Sequence, residues 1–428
     1  MKPKNNDHRP KIRLPIEVIL LIIDHLISDT AGPQPFLPAT SLITKTLLAL
    51  TTVSRATHTT ASRLLWQNCL YIDTRERLDA LRKSVSKKSV ITGRVPWKAY
   101  APARMFLCPF HLANDFAVSE YSPVPDETSL IPRLDMIPDD EPFPQGFSTI
   151  AADDDDESFW SRPYETDEPW LLPDSPMYSE LKTLSVFQDI RKILVTLAPV
   201  LKTLVVDMPL RTLYRQDDHY GIRQILRKGF EALTDIEEIV SVEDELYLDS
   251  MGGREEPQVW AQWPKLKRLA LYNVLADEEL WQNMLSCPQL ETAIFIRADR
   301  VGHVENPIDV KREWSRAWVA GNSREATTNS GEGRYPGPEI TIAFCNTEPE
   351  LPHFDSYIPS WNAMDPENKI CVLTVPTDSI TLHKTPEEFP WRNDPIVVSQ
   401  EWVRNQALTG TLWKDIKRES LFMSSKSE

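Results

Sequence analysis

Five short segments share one cadence: apolar, two variable, apolar, one variable, usually apolar. They are LKTLSV (181–186), LKTLVV (201–206), IEEIVS (236–241), LKRLAL (266–271) and LETAIF (290–295), whose starts lie 20, 35, 30 and 24 residues apart. Between them run stretches with helical spacing of apolar residues, DIRKILVTLAPV, YGIRQILRKGFEAL and ADEELWQNMLSCPQ. Each unit of about 20–30 residues thus offers one short strand and one helix. No such unit covers its own hydrophobic face, so the units must stack and share a core. The pattern therefore predicts a strand at each cadence and a helix between successive strands. EITIAFC (339–345) and KICVLTV (369–375) read as further strands that extend or cap the sheet, and 105–110 as a buried strand ahead of the repeats. Residues 312–320 read as a helix, 321–337 as a loop, and 401–416 as a helix that closes the end of the stack.

The cadence resembles the leucine-rich repeat in irregular form, which implies a curved α/β solenoid of stacked units. The turn Asn of that family is missing: Val274 stands where it is expected after Leu271, with Asn273 one place early. The structural rival is a doubly wound dinucleotide-binding sheet. That fold needs a Gly-rich turn after its first strand, and none follows Val186 or Val206. On the solenoid reading Lys182, Lys202, Glu237, Lys267, Arg268 and Glu291 point outward between buried leucines, while the residues that bind a target stay unknown.

At the other end, RLPIEVILLIIDHLIS (13–28) is too apolar for a surface helix with a single buried side. From Ile16 to Ile27 only Glu17, Asp24 and His25 interrupt the aliphatic run. Those charges, and a length short of the roughly 20 apolar residues of a span, argue against a signal peptide or membrane anchor, although basic residues precede the run. Pro15 suits a first turn. Glu17, Asp24 and Ser28 form one narrow polar stripe, so the helix buries two sides, either wholly within its own chain or partly against another protein. Next, Leu47, Leu50, Val53 and Ala56 repeat at helical spacing, and Ala61, Leu64 and Leu65 begin a further short helix closed by Trp66.

Taken together, Leu14-Pro15-x-Glu17, the aliphatic helix with Ile22 and Leu26, Leu50, Val53-Ser54-Arg55 and Leu65-Trp66 resemble the F-box. The likeness spans 12–70 and carries an insertion at 29–44, longer than that family's usual turn. It implies a three-helix module that docks on a Skp-type adaptor and so joins a cullin scaffold in an SCF-type ubiquitin ligase. The adaptor contacts it implies are Leu14, Pro15, Val18, Ile19, Ile22, Leu26, Leu50 and Val53.

The domain reading is an F-box at 12–70, a helical linker leading into the solenoid at 71–120, a disordered acidic Pro-rich insertion at 121–178, and a repeat-like target-binding region with its C-terminal cap at 179–428. The fold class is α + α/β. The insertion opposes Asp153–Glu157 and many other acids with only Arg133 and Arg162, and its recurrent prolines deny it helix or sheet. Consecutive acids do not converge on one ion as alternating loop positions do, so no metal site is expected there. A formal net charge of −16 has the wrong sign for gripping phosphate backbones. Five scattered cysteines point to a reducing compartment, cytosol or nucleus, and Lys87-Lys88 is too thin to decide between them. No Walker loop, Cys-x-x-Cys or His-Glu-x-x-His occurs, His58 and His111 have no partner at ligand spacing, and Gly331-x-Gly333 leads into no helix. Trp66, Trp260, Trp263 and Trp281 read as packing residues. The expectation is a non-catalytic, cofactor-free recruiter of protein targets, without nucleic-acid or membrane partners. A repeat scaffold for protein interactions without a ligase role is the alternative.

Overall fold

A computed structural model describes residues 14–27, 35–91, 93–109, 184–210, 218, 220–246, 248–249, 256–298, 301, 308–321, 335–347, 351–377, 395–414 and 416. The acidic stretch 121–178, Lys182, His111 and Gly331-x-Gly333 lie outside these residues.

Three helices come first: α1 (Ile16–Asp24), α2 (Leu42–Leu50) and α3 (Arg55–Asn68). Pro15 sits at the N-cap of α1 rather than inside it. The spacing of Leu47, Leu50, Val53 and Ala56 suggests one helix through 56, yet the chain turns at 51–54. The cause is a capping box: Ser54 Oγ accepts from Thr57 N–H at 3.2 Å, and Thr57 Oγ1 accepts from Ser54 N–H at 3.0 Å. A hydroxyl that satisfies the free amides starts a new helix and ends the register of the old one.

Among the described residues eight strands then form one all-parallel sheet whose spatial order is the chain order. They are β1 (Tyr71–Ile72), β2 (Arg104–Leu107), β3 (Thr203–Val206), β4 (Glu238–Ser241), β5 (Arg268–Tyr272), β6 (Thr292–Ile296), β7 (Ile340–Asn346) and β8 (Ile370–Pro376). Registers are in line: Thr203 faces Arg104 and Glu238, Glu238 faces Arg268, and Arg268 faces Thr292. A doubly wound sheet reverses its strand order at a switch point, and this one does not.

Side chains alternate along each strand, which splits the interior into two cores. Leu204, Ile239, Leu269, Phe295 and Phe344 enter the larger one. It is closed by α4 (Arg75–Ser86), α5 (Pro96–Tyr100), α6 (Leu184–Leu197), α7 (Ile222–Glu231), α8 (Glu278–Leu285), α9 (Val310–Gly321) and α10 (Ile358–Met364). Trp260, Trp263 and Trp281 are fully buried there, as packing residues should be. Gly229 lets α7 approach α6 closely, since a Cβ would stand 3.2 Å from the Arg191 backbone. Val205, Val240, Ala270, Ile294 and Ala343 point to the opposite face, which is covered by α11 (Pro395–Thr409) through Trp402, Val403 and Ala407, with Leu412 and Ile416 beyond it.

Two expectations fail. Of LKTLSV the described residues Leu184–Val186 form helix, not strand: they open α6, because Val186, Phe187, Ile190, Ile193, Leu194 and Leu197 are buried at spacings of one, three and four. The C-terminal helix does not cap the stack's end. It lies on the second sheet face, whose apolar residues need cover. The sheet also begins earlier than the cadence indicates, since residues 71–107 supply β1 and β2 and are more than a linker. The stretch 121–178 is thus inserted between two strands, β2 and β3, that are direct neighbours.

Candidate functional site

The N-terminal helices assemble a small core from Ile23, Ile27, Leu37, Leu47, Ala61 and Leu64, with Ile19, Leu26 and Leu50 half-buried against it. An ion pair between Asp24 and Arg63 (2.6 Å) ties α1 to α3, and His58 Nδ1 lies 2.9 Å from the Thr51 carbonyl. With its core filled, the module still presents aliphatic side chains to solvent. Leu14 is 54%, Leu21 57% and Ile22 51% exposed on or beside α1; Leu42, Leu48 and Val53 are 79%, 51% and 68% exposed on or beside α2. Val18 lies four residues after Leu14, and Leu21 and Ile22 lie three and four after Val18, so they form one stripe. Covering the six named with percentages would contribute on the order of 5 kcal/mol before the costs of association.

Of the eight residues the F-box resemblance singles out, Leu14, Pro15, Val18, Ile22 and Val53 are exposed. Ile19, Leu26 and Leu50 turn mainly toward the module's own core. Leu21, Leu42 and Leu48 join the exposed set without having been singled out. Leu21 was legible, being three residues after Val18; Leu42 and Leu48 were not, because the start of α2 is masked by the Pro/Thr-rich stretch before it.

That stretch has a second role. Phe36 enters the core under α11, donates its N–H to the Leu408 carbonyl at 2.7 Å, and carries the Arg104 guanidinium 4.3 Å from its ring centre. The adjacent Leu37 enters the three-helix core. One residue pair therefore anchors the module to the sheet.

The charged positions ahead of the strands are occupied with one another. Lys202 Nζ lies 3.5 Å from Glu237 Oε1, and Lys267 Nζ lies 3.0 Å from Glu237 Oε2. Arg268 pairs with Glu238. The Lys202, Glu237, Lys267 and Glu291 carbonyls accept amides of the next strand's entrance, making this edge a structural ladder. Glu237 is held below the usual carboxylate range, first by its hydrogen bond from Lys267.

On the α11 face Arg404 grips Asp207 with Nε–Oδ2 2.5 Å and Nη2–Oδ1 3.0 Å, and reaches Glu243 at 3.4 Å. Burial pushes Glu243 up to about 8 and the neighbouring Asp207 charge adds to it; Arg404 opposes both without prevailing. Burial alone would lower Arg404, but Asp207 and Glu243 hold it above its ordinary value. This cluster fastens α11 to the sheet.

Among the described residues no group of three or more His, Cys, Asp or Glu is placed to hold a metal, and no helix is long and apolar enough to cross a membrane. The class defined so far is a mixed α/β protein with one sequentially ordered parallel sheet and an apolar N-terminal helical surface. Comparison with protein-family models, curated proteins and solved structures finds no match for the chain.

Proposed function

We propose that the chain is the target-recruiting subunit of a cullin–RING ubiquitin ligase of SCF type. In this reading α1–α3 are an F-box that docks on a Skp-type adaptor. The sheet with its helices is an irregular leucine-rich-repeat-like solenoid that holds a protein target, and the chain itself catalyses nothing. It acts by raising the effective concentration of target lysines near the ubiquitin carrier. The observation that carries the reading is the stripe Leu14, Val18, Leu21 and Ile22, left to solvent by a module whose own core is complete. An apolar surface of this kind, rimmed by polar residues, marks a site of protein association.

The test is co-purification of the full chain with a Skp-type adaptor, comparing wild type with Ile22→Asp. A carboxylate buried in an apolar interface should weaken capture at least about a hundredfold. It should leave the fold intact, because Ile22 is half exposed. Failure of the wild type to capture the adaptor would remove the ligase role and leave the scaffold reading. Equal capture by both would mean that the adaptor docks elsewhere.

A further inference from the structure

Beyond the carboxyl end of β5 lies a cavity of about 220 Å³, bounded by the residues after that strand, the first turns of α8 and the short 3-10 turn Val259–Gln262. Three carboxylates line it, Glu245, Asp277 and Glu279, and no Lys, Arg or His does so among the described residues. Leu271, Val274 and Leu280 make the wall apolar beside them.

Helix capping explains part of this. Asp277 Oδ1 accepts the Leu280 N–H at 3.1 Å, and Glu279 occupies the first turn, where a helix favours acids. It does not explain the buried polar atoms. Trp260 is 1% exposed, and its Nε1–H finds no acceptor among the described residues. Gln258 Oε1 and Asn283 Nδ2 are also buried without a partner, and all three residues line the cavity. Buried polar groups are almost always satisfied, so these three offer a cavity ligand two donors and an acceptor to meet. The volume is below the roughly 300–1,000 Å³ of a site for a drug-sized molecule and suits a single long side chain.

We propose that this cavity receives a lysine or arginine side chain of a polypeptide bound at the carboxyl end of the sheet. The cationic head lies among Glu245, Asp277 and Glu279, the aliphatic stem lies along the leucines, and a carbonyl of the same peptide accepts from Trp260 Nε1. Gln258 Oε1 supplies a further acceptor to the head. The inference deepens the target-recruiting role and rests on it for the polypeptide's identity as a target.

The test titrates the full chain with the N-acetyl, N-methylamide derivatives of arginine, lysine and citrulline, followed by ligand-observed NMR. Citrulline has nearly the shape of arginine without its charge. The expected result is saturable binding of a basic derivative and none of citrulline, with the arginine and lysine arms showing which head is preferred. Glu279→Gln should weaken binding about tenfold, as loss of one charge-assisted contact does. The exposed neighbour Glu278→Gln should leave it unchanged. Absence of saturation by both basic derivatives, equal binding of citrulline, or indifference to Glu279→Gln would each overturn the proposal. Ile22→Asp separates the two readings. Adaptor capture lost from wild type with derivative binding intact removes the ligase role and spares the cavity; the reverse removes the cavity alone.

Discussion

Glu243 and Lys311 show how much a buried charge depends on its company. Glu243 touches Arg404 yet holds its proton up to about 8, because burial and the Asp207 carboxylate together outweigh the guanidinium. A raised carboxyl value stabilises the fold below the ordinary 4.5 and is lost as the pH climbs to about 8. Through that window the unfolded chain releases a proton the folded one keeps, so stability falls by up to about 1.4 kcal/mol per pH unit from this group. Glu243→Gln should therefore match wild type near pH 5 and exceed its melting temperature near pH 8.5; parallel pH profiles for the two would refute this. Lys311 is a different case. Its ammonium reaches Asp365 Oδ2 at 2.9 Å and Asn368 Oδ1 at 2.8 Å, with both ionic side chains at most 5% exposed. Asp365 also accepts the amides of Lys369 and Ile370, each at 2.8 Å. Lys311→Met should cost about 3 kcal/mol by leaving that carboxylate without its cation. Asp365→Ala should cost more, since it also strands two backbone donors. Urea titration gives both values, and a change under about 0.5 kcal/mol for Lys311→Met would show the pair contributes nothing.

At the scale of elements, much of the fold was legible because parallel strands buried on both faces write themselves as short apolar runs. Seven of the eight strands follow directly from such runs or their near relatives at 105–110, 201–206, 236–241, 266–271, 290–295, 339–345 and 369–375. LKTLSV and LKTLVV share five of six residues but end in a helix and a strand. Their flanks decide. Phe187, Ile190, Ile193 and Leu197 continue helical spacing after the first, whereas Asp207, Met208 and Pro209 stop it after the second. The two-residue β1 is too short to show a period at all. The α2–α3 break lay in Ser54 and Thr57, a hydroxyl pair where the usual capping signal has an acid or amide at the third position. Ser54→Ala should cost about 1 kcal/mol in denaturant unfolding, and a value near zero would mean that the turn at 51–54 is held by packing alone. The place of α11 was hidden for another reason: nothing local distinguishes a helix that covers a sheet face from one that closes a stack. Trp402, 2% exposed between that helix and the strands, should cost about 3–5 kcal/mol on truncation to Ala.

Across the whole molecule the N-terminal surface was partly legible, since its aliphatic excess is visible in the sequence, while the cavity was not. Glu245, Gln258, Trp260 and Asp277 are spread over more than 30 residues, and only the stacking of β4 and β5 with α8 gathers them. The two surfaces are mechanically distinct but joined. Phe36 ties the helical module to α11, and Trp66 packs against the core of the helix-covered face. If adaptor docking covers Leu14, Leu21, Ile22 and Val53, it should slow amide exchange in α1 and α2 far more than in β5–β8. Binding to the folded state alone also raises stability by mass action, about 2.7 kcal/mol at an adaptor concentration a hundredfold above Kd. The anchoring Phe36 makes a sharper demand. Phe36→Ala should leave the exposed aliphatic stripe able to bind adaptor, because the side chain lies in another core. It should also loosen the module from the sheet, so the protection gained by α1 and α2 no longer comes with any slowing at α11. Loss of adaptor capture in Phe36→Ala, with circular dichroism unchanged, would mean that the docking face requires the sheet behind it and extends beyond the three helices.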